Sequence, residues 1–142
     1  MVSINPYLNF DGNAEEAFNF YKAAFGGEFA NVQRFGDMPG KENLPKEFYN
    51  KIMHIVLPIG KDDVLMASDV VPGMGPAHSA GNNVTISVNV ESEDEARRIF
   101  DALSGGGDVT MPLDKTFWGA YFGQLTDKFG IQWMINYDYN NK

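Results

Sequence analysis

The sequence contains no cysteine and only two histidines among its 142 residues. The missing thiols exclude a disulfide scaffold, a thiolate zinc site, an iron–sulfur cluster and a cysteine nucleophile. Basic residues are also scarce, with 11 Lys and Arg against 19 Asp and Glu and a net charge of -8. A nucleic-acid-binding surface needs a basic patch to displace phosphate counterions, so we expect no nucleic-acid partner.

Long apolar runs are missing as well. No stretch approaches the roughly 20 apolar residues of a membrane-spanning helix. The N-terminal Met-Val-Ser-Ile-Asn-Pro has neither the basic region nor the apolar segment of a secretion signal. We therefore expect no membrane association and a cytoplasmic location. The content of 44% hydrophobic and 21% charged residues is ordinary for a globular domain.

The first half of the chain has the pattern of one strand, one helix and three further strands. Asn13 is expected to cap the helix, and Gly26-Gly27 to end it. Residue spacing predicts a strand at 3–10, a helix at 14–25, a strand at 28–36, a surface loop at 37–50 and strands at 52–59 and 64–69.

The second half repeats this order after a segment rich in Gly, Pro, Ser and Asn, which has the composition of a linker. Ser92 and Glu95 form a capping box that predicts the start of the second helix, and Gly105-Gly106-Gly107 is expected to end it. The predicted elements are a linker at 71–83, a strand at 84–90, the helix, and strands at about 108–112, 119–126 and 131–137.

Local matches support an internal duplication. Leu8-Asn9-Phe10-Asp11 resembles Val88-Asn89-Val90-Glu91, and Glu15-Glu16-Ala17 resembles Asp94-Glu95-Ala96. The repeated order together with these matches predicts an α+β fold of two βαβββ modules, at about 1–72 and 82–142. Because strand side chains alternate between faces, Leu8 and Phe10 are expected to face the helix and Tyr7 the opposite side.

Four stretches resemble a known family: Pro6–Phe18, Met53–Ile55, Val64–Asp69 and, most specifically, Trp118–Trp133. They are similar to the vicinal oxygen chelate superfamily, which includes glyoxalase I, bleomycin-resistance proteins and extradiol dioxygenases, and more narrowly to its PhnB-like branch. The resemblance implies two modules that form a U-shaped mixed sheet around a pocket, and a homodimer. Ala120 stands where this branch often has Arg or Lys.

The resemblance also implies where a metal would bind. Metal-dependent members hold their ion on the first and last strands of each module, and these positions correspond to Asn5, Met66, Asn83 and Met134. A neutral amide is a weak ligand, and a thioether prefers soft Cu(I) to the usual divalent ions. We therefore expect no metal and no cofactor. A Gly-rich strand-to-helix loop for a nucleotide or methyl donor is also missing.

The pocket implied by the resemblance is expected between the two modules. Strand parity and the repeat predict its lining residues, with His54, Trp118 and Tyr121 as further neighbours. The predicted lining is Asn5, Tyr7, Met66, Ser68, Asn83, Thr85, Met134 and Asn136. Trp118 and Tyr121 belong to a C-terminal aromatic cluster, which is either ordinary core or a flat surface for an organic ligand.

Two functions remain open at this stage. The first is metal-free binding of a small organic molecule, neutral or cationic because the chain is acidic. The second is an enzyme of the lyase, isomerase or dioxygenase type. It would use either a displaced metal or acid–base chemistry by His54 with Asp69, Ser68 or Tyr121. His54 is also consistent with an ordinary hydrogen-bonded strand histidine.

Overall fold

The computed structural model describes residues 1–140, so the last two residues of the predicted second module lie outside the described range. The chain divides into two compact units, 1–79 and 80–142, which we call module 1 and module 2. No helix within residues 1–140 is long and apolar enough to cross a membrane.

Module 1 is a four-stranded mixed sheet with one helix. The strand order is β1-β4-β3-β2, with β1 parallel to β4 and the other pairs antiparallel. Three short 3-10 turns, Phe35–Asp37, Lys41–Asn43 and Lys46–Phe48, occupy the predicted surface loop. The elements are β1 (Tyr7–Phe10), α1 (Ala14–Phe25), β2 (Asn31–Arg34), β3 (Ile52–Ile59) and β4 (Asp63–Asp69).

Module 2 repeats the arrangement. Its strand order is β5-β8-β7-β6, again with the first pair parallel and the others antiparallel. The predicted α+β fold of two βαβββ modules is therefore confirmed. The elements are β5 (Ile86–Asn89), α2 (Glu93–Ser104), β6 (Asp108–Lys115), β7 (Ala120–Thr126) and β8 (Gln132–Asp138).

Each helix covers one face of its own sheet with the apolar side chains that recur at helical spacing. In module 1, α1 packs on β3 and β4, and Phe10 meets Phe18 edge to face with 6.3 Å between ring centroids. In module 2, Ala96, Ile99, Phe100 and Leu103 are buried on α2. We call the sheet face opposite the helix the open face of each module.

The start of α2 was predicted correctly, whereas the capping of α1 was not. The Glu95 amide donates to Ser92 Oγ at 3.0 Å, and the Glu95 carboxylate accepts from the Glu91 amide at 3.0 Å. The Asn13 side chain makes no capping hydrogen bond. The Ala14 amide donates instead to Oδ1 of buried Asp69 at 2.9 Å, so a residue at the end of β4 takes over the cap.

Four strands differ from their predictions by more than one residue at an end. β2 was predicted at 28–36 and covers only Asn31–Arg34. β1 begins at Tyr7 because Pro6 has no amide hydrogen to pair with a neighbouring strand. β5 begins at Ile86, so Val84, the first residue of the predicted strand, lies outside it and is 74% exposed. β6 is longer than predicted and continues to Lys115. It is an edge strand with register shifts in its pairing, and Pro112 is tolerated in such a strand.

Candidate functional site

Strand pairing brings four of the polar and methionine side chains of module 1 together on its open face. In the parallel pair β1–β4, Tyr7 lies beside Met66 and Asn9 beside Ser68. Their neighbours Phe10, Leu65 and Ala67 are buried toward α1, which fixes the alternation. The predicted inward positions of Tyr7, Met66 and Ser68 therefore share one face, and Asn9 joins them as a residue outside the predicted lining.

His54 on β3 contacts Tyr7 on the same open face. The Tyr7 hydroxyl lies 3.2 Å from His54 Nδ1. The two rings are nearly parallel, with an angle of 19° and a centroid separation of 5.7 Å. β4 separates the two strands in the sheet, so the Tyr7 side chain reaches across it. Tyr7 is 44% exposed, whereas His54 is partly buried.

A row of polar side chains crosses the four strands at this point. Asn9 pairs with Ser68, and His54 pairs with Gln33. Because Ile55 pairs with Ala67, the next residues along the antiparallel strands, His54 and Ser68, lie side by side. The row therefore runs Asn9, Ser68, His54 and Gln33 and carries hydroxyl, imidazole and amide groups. Gln33 was missed because the short strand β2 has little alternation in its sequence.

The same positions in module 2 carry closely related side chains. Ser87 pairs with Met134, and Asn89 pairs with Asn136, in the parallel pair β5–β8. The Asn136 amide donates to Asn89 Oδ1 at 3.0 Å. The pair Ser87 and Met134 corresponds to Tyr7 and Met66 of module 1. The pair Asn89 and Asn136 corresponds to Asn9 and Ser68. Both open faces combine a methionine with neutral polar groups.

Trp118 and Tyr121 lie on different sides of the module 2 sheet. Trp118 is 54% exposed and packs on Phe122 with 5.9 Å between ring centroids, and Phe122 pairs with Asn136 of the open face. The Tyr121 hydroxyl instead accepts from Arg97 of α2 at 3.5 Å. Tyr121 therefore faces the helix of its own module. Its register with β8 places it on the same face of the sheet as Gly123, and Gly123 lies against the Phe100 ring of α2.

The remaining predicted lining residues lie outside the strands. Asn5 precedes β1, and its Oδ1 accepts from the Val64 amide at 3.2 Å. Asn83 and Thr85 precede β5 and are exposed. Asn5 therefore stabilises the start of β4. Within residues 1–140, no hydrogen bond is found for the side chains of Asn83 and Thr85.

The side chains at the four implied ligand positions do not fit the metal centre that the resemblance implies. Among residues 1–140, no group of three or more His, Cys, Asp or Glu is placed to hold a metal ion. Met66 and Met134 present thioethers, and the Asn5 oxygen is already bonded to backbone. Hard divalent ions prefer carboxylate and imidazole ligands, so these side chains are unsuited to them.

Charged groups near the open face of module 1 have partners elsewhere. Arg34 donates to both carboxylate oxygens of Glu15, at 3.0 and 2.7 Å, and this hydrogen-bonded pair holds the pKa of Glu15 below its ordinary 4.5. Lys51 Nζ donates to the Gly12 carbonyl at 2.8 Å. Asp69 accepts from the Ala14 and Ile52 amides and faces α1. The polar row is therefore electrically neutral when His54 is neutral.

Module 1 also has a cavity of about 500 Å³ between the surface loop and the segment after β4. Met38, Leu44, Val71 and Met74 supply most of its apolar side chains, and no titratable residue lines it. The cavity has room for a small molecule, but its lining residues include no acid–base or charged side chain. We therefore assign the chemistry of the candidate site to the open face.

Comparison with known proteins yields a family and several relatives. The profile of the Glyoxalase/Bleomycin resistance protein/Dioxygenase superfamily matches residues 3–135. The chain is 36% identical over 143 residues to protein YjdN of Escherichia coli K12, covering 95% of each chain.

Two solved structures share the fold over almost the whole chain. Protein PA1353 from Pseudomonas aeruginosa has 43% identity and a TM-score of 0.85, with 97% of this chain and 98% of that chain covered. A Bacillus cereus PhnB protein, described as a putative 3-demethylubiquinone-9 3-methyltransferase, has 27% identity and a TM-score of 0.75, with 96% and 99% covered.

Proposed function

Because this chain belongs to the Glyoxalase/Bleomycin resistance protein/Dioxygenase superfamily, we propose that it binds a small organic molecule on its open faces without a metal ion. The observation that carries the proposal is the equivalent placement of Met66 beside Tyr7 and of Met134 beside Ser87. Methionine side chains adapt to varied apolar surfaces. The neighbouring hydroxyl and amide groups then fix the orientation of a ligand.

Charge supports the same ligand class. The net charge of -8 repels anions, and the polar row of module 1 carries no free cation that would pair with a carboxylate or phosphate. A neutral or cationic ligand is therefore favoured. In module 2, considered by itself, Trp118 is 54% exposed and packs edge to face on Phe122, so its indole offers an aromatic surface to a planar or amphiphilic molecule.

Methyl transfer is not proposed, despite the description of the Bacillus cereus relative. Nucleotide-type cofactors are commonly held where a helix N-terminus and a Gly-rich turn present free amides. In module 1, the carboxylate of Asp69 already occupies that place at the start of α1. In module 2, Ser92 and Glu95 cap the start of α2.

A ligand screen with a metal assay tests the proposal. We expect elemental analysis of the purified protein to show less than stoichiometric divalent metal. We also expect members of a neutral and cationic compound library to raise the melting temperature, because a ligand that binds the native state stabilises it. The matched variants are Met66→Asp and, as the control, Val2→Asp at an exposed apolar residue outside the sheet. Stoichiometric tightly bound metal, or stabilisation unaffected by Met66→Asp, would contradict metal-free binding at this face.

A second candidate function is metal-free acid–base catalysis. The contact between the Tyr7 hydroxyl and His54 Nδ1 favours it, since a histidine with a hydrogen-bonded partner is a common proton-transfer pair. Asp69 is not available for this role because both of its oxygens accept backbone amides. Mass spectrometry of ligands recovered after incubation separates the two functions: an unchanged ligand indicates binding, and conversion that is lost in His54→Gln indicates catalysis.

Assembly as a homodimer belongs to the same proposal. β6 is an edge strand, and seven of its eight residues are exposed. Exposed edges are usually covered or paired. Light scattering at micromolar concentration should give twice 15.8 kDa, whereas a monomer mass would contradict the dimer.

A further inference from the structure

We propose that His54 donates its Nε2 hydrogen to a neutral carbonyl oxygen of the ligand, while Tyr7 holds the imidazole in the required tautomer. The proposal rests on the proposed binding function and names the ligand chemistry that the site takes. It starts from the 3.2 Å contact between the Tyr7 hydroxyl and His54 Nδ1.

The proposal takes the Tyr7 hydroxyl as the donor to Nδ1, since a phenol hydroxyl can either donate to this nitrogen or accept from an Nδ1–H group. A neutral imidazole has one N–H group and one acceptor nitrogen, and a hydrogen bond at one nitrogen determines which of the two carries the proton. A phenol hydroxyl that donates to Nδ1 leaves the proton on Nε2. The near-parallel stacking of the two rings, at 19°, restrains the imidazole further.

The Nε2 hydrogen is then available to a ligand. The His54 side chain has one hydrogen-bond contact in the described chain, and it is at Nδ1. Its neighbours across the strands, Ser68 and Gln33, provide further neutral hydrogen-bonding groups. The contact is exposed and the imidazole is only partly buried, so an acceptor supplied by the ligand can reach Nε2 from solvent.

We expect a neutral acceptor because Arg34 and Lys51, two cations near this face, already have partners within the described residues 1–140. Arg34 is bound to Glu15 and to the Asn50 carbonyl, and Lys51 is bound to the Gly12 carbonyl. A carboxylate would lose solvation at the site without gaining an ion pair. An amide, ketone or ester carbonyl attached to a planar group would stack against Tyr7 and accept from His54.

The tautomer is measured without any ligand. Long-range proton–nitrogen NMR spectra of the labelled protein resolve the imidazoles of its two histidines, and His78 in the linker serves as the internal control. At a pH where both rings are neutral, we expect the Nε2–H form for His54. In Tyr7→Phe, we expect its nitrogen shifts to move toward a mixture of tautomers, with His78 unchanged. An Nδ1–H form of His54 in the unmodified protein would overturn the proposal.

Ligand chemistry is tested with benzamide, benzoate and benzylamine as probes of similar size. We expect NMR titration to give benzamide at least tenfold tighter binding than benzoate, with shifts at His54 and Met66. His54→Phe, which retains an aromatic ring without the N–H group, should weaken benzamide binding about tenfold, as expected for loss of one hydrogen bond. His78→Phe is the matched control. The far-UV circular dichroism of each variant verifies its fold.

The outcomes distinguish this inference from the function on which it rests. If library compounds bind the open face but benzamide binding is absent or insensitive to His54→Phe, the carbonyl assignment fails and the binding function stands. If benzoate binds as tightly as benzamide, the neutral-acceptor assignment fails. If no compound binds the face, both fail.

Discussion

Asp69 at the end of β4 accepts a hydrogen bond from the backbone amide of Ala14, 55 residues earlier in the chain, at 2.9 Å. Its second oxygen accepts from the Ile52 amide at 2.8 Å. One buried carboxylate therefore joins the first turn of α1 to the start of β3. A negative charge is also favourable at a helix N-terminus, so Asp69 stabilises module 1 from a position that sequence alone assigns only to a strand.

Replacing Asp69 should destabilise the protein strongly. Asp69→Ala leaves two buried amides without acceptors, and we expect the free energy of unfolding to fall by about 3 kcal/mol. Urea denaturation measures the change. Asp62→Ala, in the exposed turn before β4, is the matched control and should change stability by less than about 0.5 kcal/mol. Equal effects of the two substitutions would contradict the bridging role.

Gly123 of β7 should not tolerate a side chain. A Cβ atom at this position would lie 2.7 Å from the Phe100 ring of α2 and 2.9 Å from the Leu113 backbone. Gly123→Ala forces the helix or β6 to move, which overpacked cores resist at a cost of about 1–3 kcal/mol. Thermal and urea unfolding should both show the loss. Gly81→Ala, where the nearest atom is 3.7 Å away, should be nearly neutral; a comparable loss there would argue against a packing cause.

The pair formed by Glu15 and Arg34 should give a small, pH-dependent contribution to stability. Hydrogen bonding to Arg34 lowers the pKa of Glu15 below 4.5 in the native state. The stabilisation is thus present above pH 4.5 and is lost as the pH falls through the lower native pKa. Both side chains are partly exposed, so we expect about 0.5 kcal/mol at pH 7.

The test of this pair compares Glu15→Gln with the unmodified protein across pH. The difference in unfolding free energy should shrink toward zero at acid pH. Glu16→Gln is the control, since Glu16 is the adjacent exposed carboxylate of the same helical turn. A difference for Glu15→Gln that stays constant from pH 7 to strongly acid solution would contradict an electrostatic origin.

The two tryptophans should respond differently to a soluble quencher. Trp133 is 1% exposed, and its Nε1 donates to Asp127 Oδ2 at 2.8 Å, whereas Trp118 is 54% exposed. In Trp118→Phe, the remaining emission should shift to shorter wavelength and resist acrylamide. Trp133→Phe should leave a longer-wavelength emission that acrylamide quenches readily. Similar quenching of both variants would show that Trp118 is covered in solution, as it would be by a bound partner or ligand.

Local sequence determined the elements of this protein, because their signals lie within a few residues. Helical spacing gave the bounds of α1, and the pair Ser92 and Glu95 marked the start of α2. Alternation correctly separated Phe10, which is buried toward α1, from Tyr7 on the open face. The duplication of these local patterns was sufficient to predict two βαβββ modules.

Tertiary structure decided the contacts that join distant segments. The Asp69 cap of Ala14 and the contact of Tyr7 with His54 each depend on the order and register in which β1, β4 and β3 pair. The side on which Tyr121 lies depends in the same way on the register of β7 with β8. A one-residue change of register reverses the face of every side chain in a strand. Alternation shows which residues share a face, and only strand pairing shows which of their side chains meet.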